Sequence, residues 1–104
     1  MKKLEETIST LLDLSLKITI VDLSPSVYDY FDIKDKFRVV IILPQKLPIL
    51  YKKNFKEIGL KLPKDNVVRF VIKTEPRLGE NWVEKHLKEL LKKHFLNLKE
   101  KTLK

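Results

Sequence analysis

The segment KLPILYKKNFKEIGLKLPK, residues 46–64, places six lysines around Tyr51 and Phe55. Lysine ammonium groups neutralise phosphates and aromatic rings stack on bases, so the two residue types in one groove form a surface for single-stranded nucleic acid. An amphipathic helix of the same composition instead turns its rings toward the core and its lysines toward water. The direction of the rings relative to the lysines therefore distinguishes a base-stacking platform from a helix with a cationic outer face.

Helical geometry places the rings and the lysines of this segment apart. Pro48 suits the first position of a helix, and Gly59 suits its C-terminal cap. At about 100° per residue, the apolar arc contains Leu47, Leu50, Tyr51, Phe55 and Ile58, and the opposite arc contains Lys52, Lys53 and Lys56. We therefore expect the rings in the core and a lysine ridge on the surface, either as a solvated face or as a contact for phosphates.

The charge of the chain favours an anionic partner for this ridge. Residues 1–33 hold three cations and six carboxylates, whereas residues 34–104 hold 19 cations and eight carboxylates. The net charge of +8 thus arises in the later part of the chain. Lysine gives point-charge contacts to the phosphate backbone with little base discrimination. The sequence predicts a small basic protein that binds DNA or RNA without sequence specificity, through Lys46, Lys52, Lys53, Lys56, Lys61, Lys64, Arg69, Lys73 and Arg77.

The carboxylates offer one catalytic alternative. Asp22 closes a predicted strand, and Asp32 and Lys34 follow in the pattern D…DxK of metal-dependent nucleases, where two acids hold Mg²⁺ and the lysine steadies the attacking water. Such a match arises readily by chance in a chain with 35% charged residues. The chain has no cysteine, and it contains no P-loop, GxGxxG or HExxH motif. We therefore predict a binding protein rather than an enzyme, with no catalytic residue, no metal site and no cofactor.

A rival function comes from the last segment, from Glu80 to about Lys101, which is typical of a long amphipathic helix. Its apolar arc covers about half of the helical wheel, which is wider than one neighbouring surface usually covers. Either the helix lies across the sheet of its own domain, or part of it pairs with the same helix of a second subunit. The second case predicts a protein–protein interaction module, such as a homodimer, an adaptor or an inhibitor, with an interface formed by Leu87, Leu91, Phe95 and Leu98.

The remaining patterns predict the elements that position these residues. Residues 3–14 show the helical spacing of leucine and isoleucine. Residues 17–23, 37–43 and 66–74 are rich in β-branched residues and are typical of strands. Residues 25–33 fit a short helix and a strand about equally well. The fold class that follows is α/β, with α+β as the alternative: a small two-layer sandwich in which a three- or four-stranded sheet carries helices mainly on one face, together with a long C-terminal helix.

The order of elements is helix, strand, ambiguous segment, strand, helix, strand and helix, and it is similar to the type II KH-like architecture, which is also found in the BolA family. The resemblance implies a three-stranded sheet covered by helices on one side. The phosphate-contacting loop of KH domains needs a GxxG motif, and this chain has only Gly59 and Gly79. The resemblance therefore assigns no site residue.

Length and composition predict one domain over residues 1–104, with a frayed tail at residues 102–104. The longest apolar run, Val39 to Leu43, suits a buried strand and falls far short of the ~20 residues that span a bilayer. The start of the chain has glutamates where a signal peptide needs an unbroken apolar core, so we expect a cytoplasmic protein with no membrane partner. The abundance of lysine and the scarcity of glycine and cysteine are typical of thermophile proteins, although an AT-rich genome also favours lysine.

Overall fold

The computed structural model describes residues 2–23, 35–74 and 79–103. Its helices are α1 (Lys2–Leu14), α2 (Ile49–Glu57), α3 (Gly79–Lys85) and α4 (Leu87–Leu103), and its strands are β1 (Lys17–Asp22), β2 (Asp35–Ile42) and β3 (Val67–Thr74). The segment 25–33, whose sequence fits both a helix and a strand, lies outside the described residues.

The three strands form one antiparallel sheet in the order β1-β2-β3. Ile41 of β2 pairs with Ile18 of β1 and with Val68 of β3. Side chains alternate between the two faces along each strand, and residues that pair across strands lie on the same face. Each face of the sheet therefore carries every second residue of each strand. The buried set in β2 and β3 is Phe37, Val39, Ile41, Val68, Phe70 and Ile72. The opposite face, which we call the open face, carries Arg38, Arg69, Val71 and Lys73, all exposed.

The helices cover the buried face of the sheet. The hydrophobic core joins the inward side chains of the strands to Ile8 and Leu11 of α1, Phe55 of α2, and Leu87, Leu91 and Phe95 of α4. Val40 and Ile42 of β2 are only half-buried on the open face. The predicted two-layer α/β sandwich with a three-stranded sheet is confirmed, and the apolar β2 reflects its central position between two strands.

The predicted long C-terminal helix is confirmed as α4, and the shorter α3 precedes it with His86 between the two. The carbonyl oxygen of Trp82 accepts the backbone N–H of His86 at 3.0 Å, and the ring Nδ1 of His86 also lies 3.0 Å from it. The N–H of Leu90 donates to the carbonyl of His86 at 3.0 Å, so helical backbone bonds continue across the junction. The shorter helix α3 contacts β1, while α4 contacts β3 and α1. Thr102 and Leu103, which the sequence places in a frayed tail, belong to α4.

The second helix ends as its sequence predicts. Gly59 has φ +88, in the left-handed region that favours glycine. The N–H of Leu60 donates to the carbonyl of Phe55 at 2.9 Å, and the N–H of Gly59 donates to the carbonyl of Lys56 at 3.0 Å. These two bonds form a Schellman motif, which holds the chain where it leaves α2. Phe55 is fully buried and Tyr51 packs against the core, so the rings do point inward.

The predicted apolar arc of α2 is wrong at one position. Leu50 is 64% exposed, and its neighbour Ile49 is 83% exposed. The second half of α2 faces α1, with Asn54 and Phe55 lining a concavity shared with Thr7 and other α1 residues. The first turn of α2 is therefore in contact with solvent.

Among the described residues, two ion pairs join the helices of this layer. Lys92 of α4 donates a hydrogen bond to Glu5 of α1, and Lys3 of α1 pairs with Glu57 of α2. The hydrogen bond from Lys92 is the main reason that the pKa of Glu5 lies below its ordinary value and that the pKa of Lys92 lies above its own. The Lys3 hydrogen bond lowers the pKa of Glu57 in the same way. All four side chains contact solvent, so each pair makes a small contribution to stability.

We expect the Glu5→Gln variant to melt at a slightly lower temperature than the wild type at pH 7, with a difference that shrinks as the pH falls toward about 3. A carboxyl whose pKa is lowered by folding stabilises the fold above its unfolded pKa and loses that contribution as the pH falls through its folded pKa. The raised pKa of Lys92 acts in the other direction, since its contribution is present below its unfolded pKa and is lost as the pH rises through its folded pKa.

Thermal melting followed by circular dichroism at several pH values measures this difference. The Glu6→Gln variant is the control, because it removes the same charge from an exposed neighbour on the same helix. A difference between the Glu5→Gln variant and the wild type that stays constant from pH 7 to about pH 3 would contradict the role of this ion pair.

Candidate nucleic-acid interface

Four of the predicted lysines line one concavity, at the end of the sheet where β2 ends and β3 begins. Lys52 and Lys56 belong to α2, and Lys61 and Lys64 belong to the loop between α2 and β3. The concavity has a volume of about 560 Å³, and its other lining residues are Gln45, Leu60, Leu62, Pro63 and Asn66. No carboxylate is found among the described residues that line it. We call this site the lysine groove.

Asn66 joins the two backbone segments that border the lysine groove. Its side-chain Nδ2 donates to the carbonyl oxygens of Pro44 at 2.8 Å and Gln45 at 3.0 Å. Its own carbonyl accepts the N–H of Leu43 at 3.0 Å, and the Nε2 of Gln45 donates to the carbonyl of Asp65 at 3.2 Å. Asn66 is only 8% exposed and has φ 55, a left-handed conformation that asparagine adopts more readily than most residues. These bonds tie the chain that leaves β2 to the chain that enters β3.

The turn that carries Lys64 is closed by its own hydrogen bonds. The N–H of Asn66 donates to the carbonyl of Pro63 at 3.0 Å, and the carboxylate Oδ1 of Asp65 accepts the N–H of Val67 at 3.0 Å. The second bond is the local turn that aspartate favours. Together with the Schellman motif at the end of α2, these contacts hold the lysine-bearing loop at both ends.

Two of the predicted lysines near this groove lie outside it. Lys53 is exposed on α2, and its charge helps to lower the pKa of Glu57, which pairs with Lys3 of α1. Lys46 is exposed next to Gln45 but is not one of the lining residues. The structure therefore groups Lys52 and Lys56 with the loop lysines, and it leaves Lys53 on the side of α2 nearer to α1.

The predicted cations of β3 occupy a different surface. Arg69 and Lys73 lie on the open face of the sheet. Arg69 Nη2 is 3.8 Å from Asp65 Oδ2, and both side chains are 56% exposed. Arg77 lies outside the described residues. Arg69 and Lys73 thus do not line the lysine groove, although Arg69 shares a neighbouring concavity with Lys61.

Three of the four residues predicted at a protein–protein interface belong to the core of the chain itself. Leu87 is 6% exposed, Leu91 is fully buried and Phe95 is 2% exposed, whereas Leu98 is 38% exposed. Their burial corrects the interface prediction, because the wide apolar arc of α4 covers the sheet of its own domain. Of the two explanations for that arc, the structure supports the intramolecular one.

The sequence did not point to Gln45 and Asn66 as part of the site. Both are uncharged, and Asn66 precedes a strand in the run KDN, which by itself is typical of a turn. That turn signal was the available clue. In the structure, the left-handed Asn66 buries its side-chain amide and hydrogen-bonds the turn to Pro44 and Gln45, just beyond β2.

Neither a metal site nor a membrane span emerges from the part of the chain that the structure describes. No group of three or more histidine, cysteine, aspartate or glutamate residues there is placed to hold a metal ion, and none of the helices in that part is long and apolar enough to cross a membrane. Of the nuclease pattern, Asp22 is exposed at the end of β1, while Asp32 and Lys34 lie outside the described residues.

Comparisons of this chain with protein-family models, with curated proteins and with solved structures give no match.

Proposed function

We propose that the chain binds nucleic acid through the lysine groove, with the ammonium groups of Lys52, Lys56, Lys61 and Lys64 contacting backbone phosphates. The observation that carries this proposal is the convergence of lysines from a helix and a loop on one concavity without a described carboxylate. A solvated helix face explains the lysines of α2 alone. It gives no reason for the loop lysines to line the same groove.

The electrostatics of the groove favour an anion. Like charges that line one concavity repel one another, and the shape of a concavity focuses their field on the space between them. The nearby carboxylates are engaged elsewhere, since Glu57 pairs with Lys3 and Asp65 lies beside Arg69. A ligand with several phosphates in series relieves the repulsion along the groove.

The uncharged lining favours a polymer with apolar as well as ionic parts. Leu62 is half-buried and Pro63 is exposed, so both offer apolar surface between the lysines. Sugars and base edges can lie against such surface while phosphates meet the ammonium groups. Lysine rather than arginine at all four cationic positions favours backbone contact without base readout. We expect little dependence on sequence.

The proposal is tested by fluorescence anisotropy with labelled single- and double-stranded DNA and RNA at 50 and 200 mM salt. If each of the four lysines neutralises one phosphate, counterion release predicts that affinity falls about 50-fold between these salt concentrations for single strands and about 150-fold for duplexes. Absence of binding at 50 mM salt with up to about 100 μM protein would overturn the proposal, because four phosphate contacts act most strongly at low salt.

A further inference from the structure

The outer edge of β3 carries backbone groups that no other described strand pairs with. Within the described residues, β3 pairs only with β2. The N–H of Leu43 donates to the carbonyl of Asn66, which continues the register in which Ile42 faces Val67. Alternate residues of an antiparallel strand bond to the same neighbour. The inward-facing residues of β3 therefore bond to β2, and residues 69, 71 and 73 direct their N–H and C=O groups to the outer edge. Val67 also points outward, but its N–H donates to Asp65 and its carbonyl accepts from Arg69.

The side chains along this edge are apolar and cationic. Val71 is 49% exposed, and Arg69 and Lys73 flank it on the open face. On the inner side, α4 borders the edge through two adjoining concavities of about 280 and 320 Å³, and both of these are lined by His94 and Leu98. An added strand would thus have one set of side chains beside the cations and the other set against α4.

Charge selects the kind of strand that fits. The two concavities are lined by Lys61, Arg69, Lys73 and Lys93, and by no carboxylate among the described residues. A second copy of β3 in antiparallel pairing places cations of the two copies close to one another, which is destabilising across strands. Carboxylates opposite Arg69 and Lys73 are stabilising instead, because opposite charges attract across neighbouring strands.

We propose that the β3 edge binds an extended acidic segment of a partner protein by strand addition. Main-chain hydrogen bonds to residues 69–73 hold the segment, and alternate side chains give it specificity. Its carboxylates lie on the open face beside Arg69 and Lys73, and its apolar side chains lie toward Leu98 of α4. This proposal goes beyond nucleic-acid binding and uses a surface that shares Leu60, Lys61 and Pro63 with the lysine groove.

The Val71→Pro variant tests the backbone part of this proposal. Proline removes the N–H at an outward-directed position and leaves the bonds between β2 and β3 in place, as at other strand edges. The probe is a fluorescein-labelled eight-residue peptide of alternating valine and glutamate. We expect the wild type and the Val71→Thr control to bind the peptide equally. We expect Val71→Pro to bind it at least about tenfold more weakly, because the hydrogen bond from the N–H of residue 71 to the peptide is lost and the adjacent hydrogen bond is weakened.

The charge part is tested separately, so that a misfolded proline variant does not decide the result. We expect the Arg69→Glu/Lys73→Glu variant to keep the wild-type circular-dichroism spectrum and to show no binding of the valine–glutamate peptide. We expect the wild type to show no binding of a peptide of alternating valine and lysine. Failure of the wild type to bind the valine–glutamate peptide at about 1 mM overturns the proposal. A wild-type dimer in sedimentation that the Val71→Pro variant dissociates overturns it in favour of a second copy. Retained peptide binding by a variant without nucleic-acid affinity separates this site from the lysine groove.

Discussion

Replacing Lys52, Lys56 and Lys64 together by glutamine is expected to weaken nucleic-acid binding about 500-fold for single strands and about 3000-fold for duplexes at 50 mM salt. The reason is counterion release, since each phosphate that a lysine neutralises contributes roughly eightfold to fifteenfold to the affinity at that salt concentration. The three lysines are exposed at the surface and line the lysine groove, so their removal leaves the core intact. Lys61 is kept because it also borders the β3 edge.

The salt dependence of the same variant gives a second, independent readout. Only one groove lysine remains in it, so raising the salt from 50 to 200 mM is expected to weaken binding about threefold rather than about 50-fold or more. Anisotropy titrations at several salt concentrations give both the affinity and the slope. A loss of affinity with an unchanged slope would contradict phosphate contact by these lysines.

The matched control removes three positive charges from other surfaces. Lys17, Lys53 and Lys85 are all exposed, and none of them lines the groove. Their replacement by glutamine changes the net charge by the same amount. If this control weakens binding as much as the groove variant does, then net charge and not the groove carries the interaction, and the proposed function loses its structural basis.

Local sequence patterns were sufficient to predict the layers of this fold. The β-branched residues of 66–74 predict a strand, and Val68, Phe70 and Ile72 turn inward in it because a strand turns successive side chains to opposite faces. The glycine after α2 marked the end of the helix because few other residues adopt its φ of +88. Each of these inferences depends only on neighbouring positions, and each is confirmed.

The errors arise where packing between distant segments decides the outcome. Leu50 belongs to the apolar arc of its helix, but its exposure depends on how far α1 reaches along α2. His86 fits a continuous helical pattern, but it separates α3 from α4, which contact different elements of the fold. A helical wheel contains neither the length of a neighbouring helix nor the elements that each part of a helix packs against.

The sequence predicts only part of the candidate site, because packing between distant segments decides the rest. The lysine pattern on α2 gave Lys52 and Lys56 a common direction, but helical spacing relates them only to residues of the same helix. The inclusion of Lys61 and Lys64 in the same groove depends on the path of the loop after Gly59. That path is fixed at Asn66, whose two side-chain hydrogen bonds reach back more than 20 residues along the chain. The position of Asn66 is therefore the part of the site that only the structure provides.

Replacing Asn66 by alanine is expected to destabilise the fold by about 3 kcal/mol and to weaken nucleic-acid binding about tenfold without any change of charge. The stability loss has two causes: the carbonyls of Pro44 and Gln45 lose their donors, and alanine is strained at a φ of 55. The binding loss follows because Lys64, two residues away, is no longer held opposite the lysines of α2, and one phosphate contact accounts for about tenfold at 50 mM salt.

Urea denaturation of the Asn66→Ala and Asn66→Gly variants separates the two causes of instability. Glycine removes the same side-chain hydrogen bonds but adopts the left-handed backbone readily, so it is expected to be about 1 kcal/mol more stable than alanine at this position. The Asn54→Ala variant is the control for binding, since Asn54 of α2 faces α1 and not the groove. Binding by folded Asn66→Ala that equals wild-type binding in affinity and salt slope would show that the lysines act as diffuse charge. A tenfold loss at Asn66 with none at Asn54 would mean that nucleic acid requires the loop lysines and the helix lysines in one fixed arrangement.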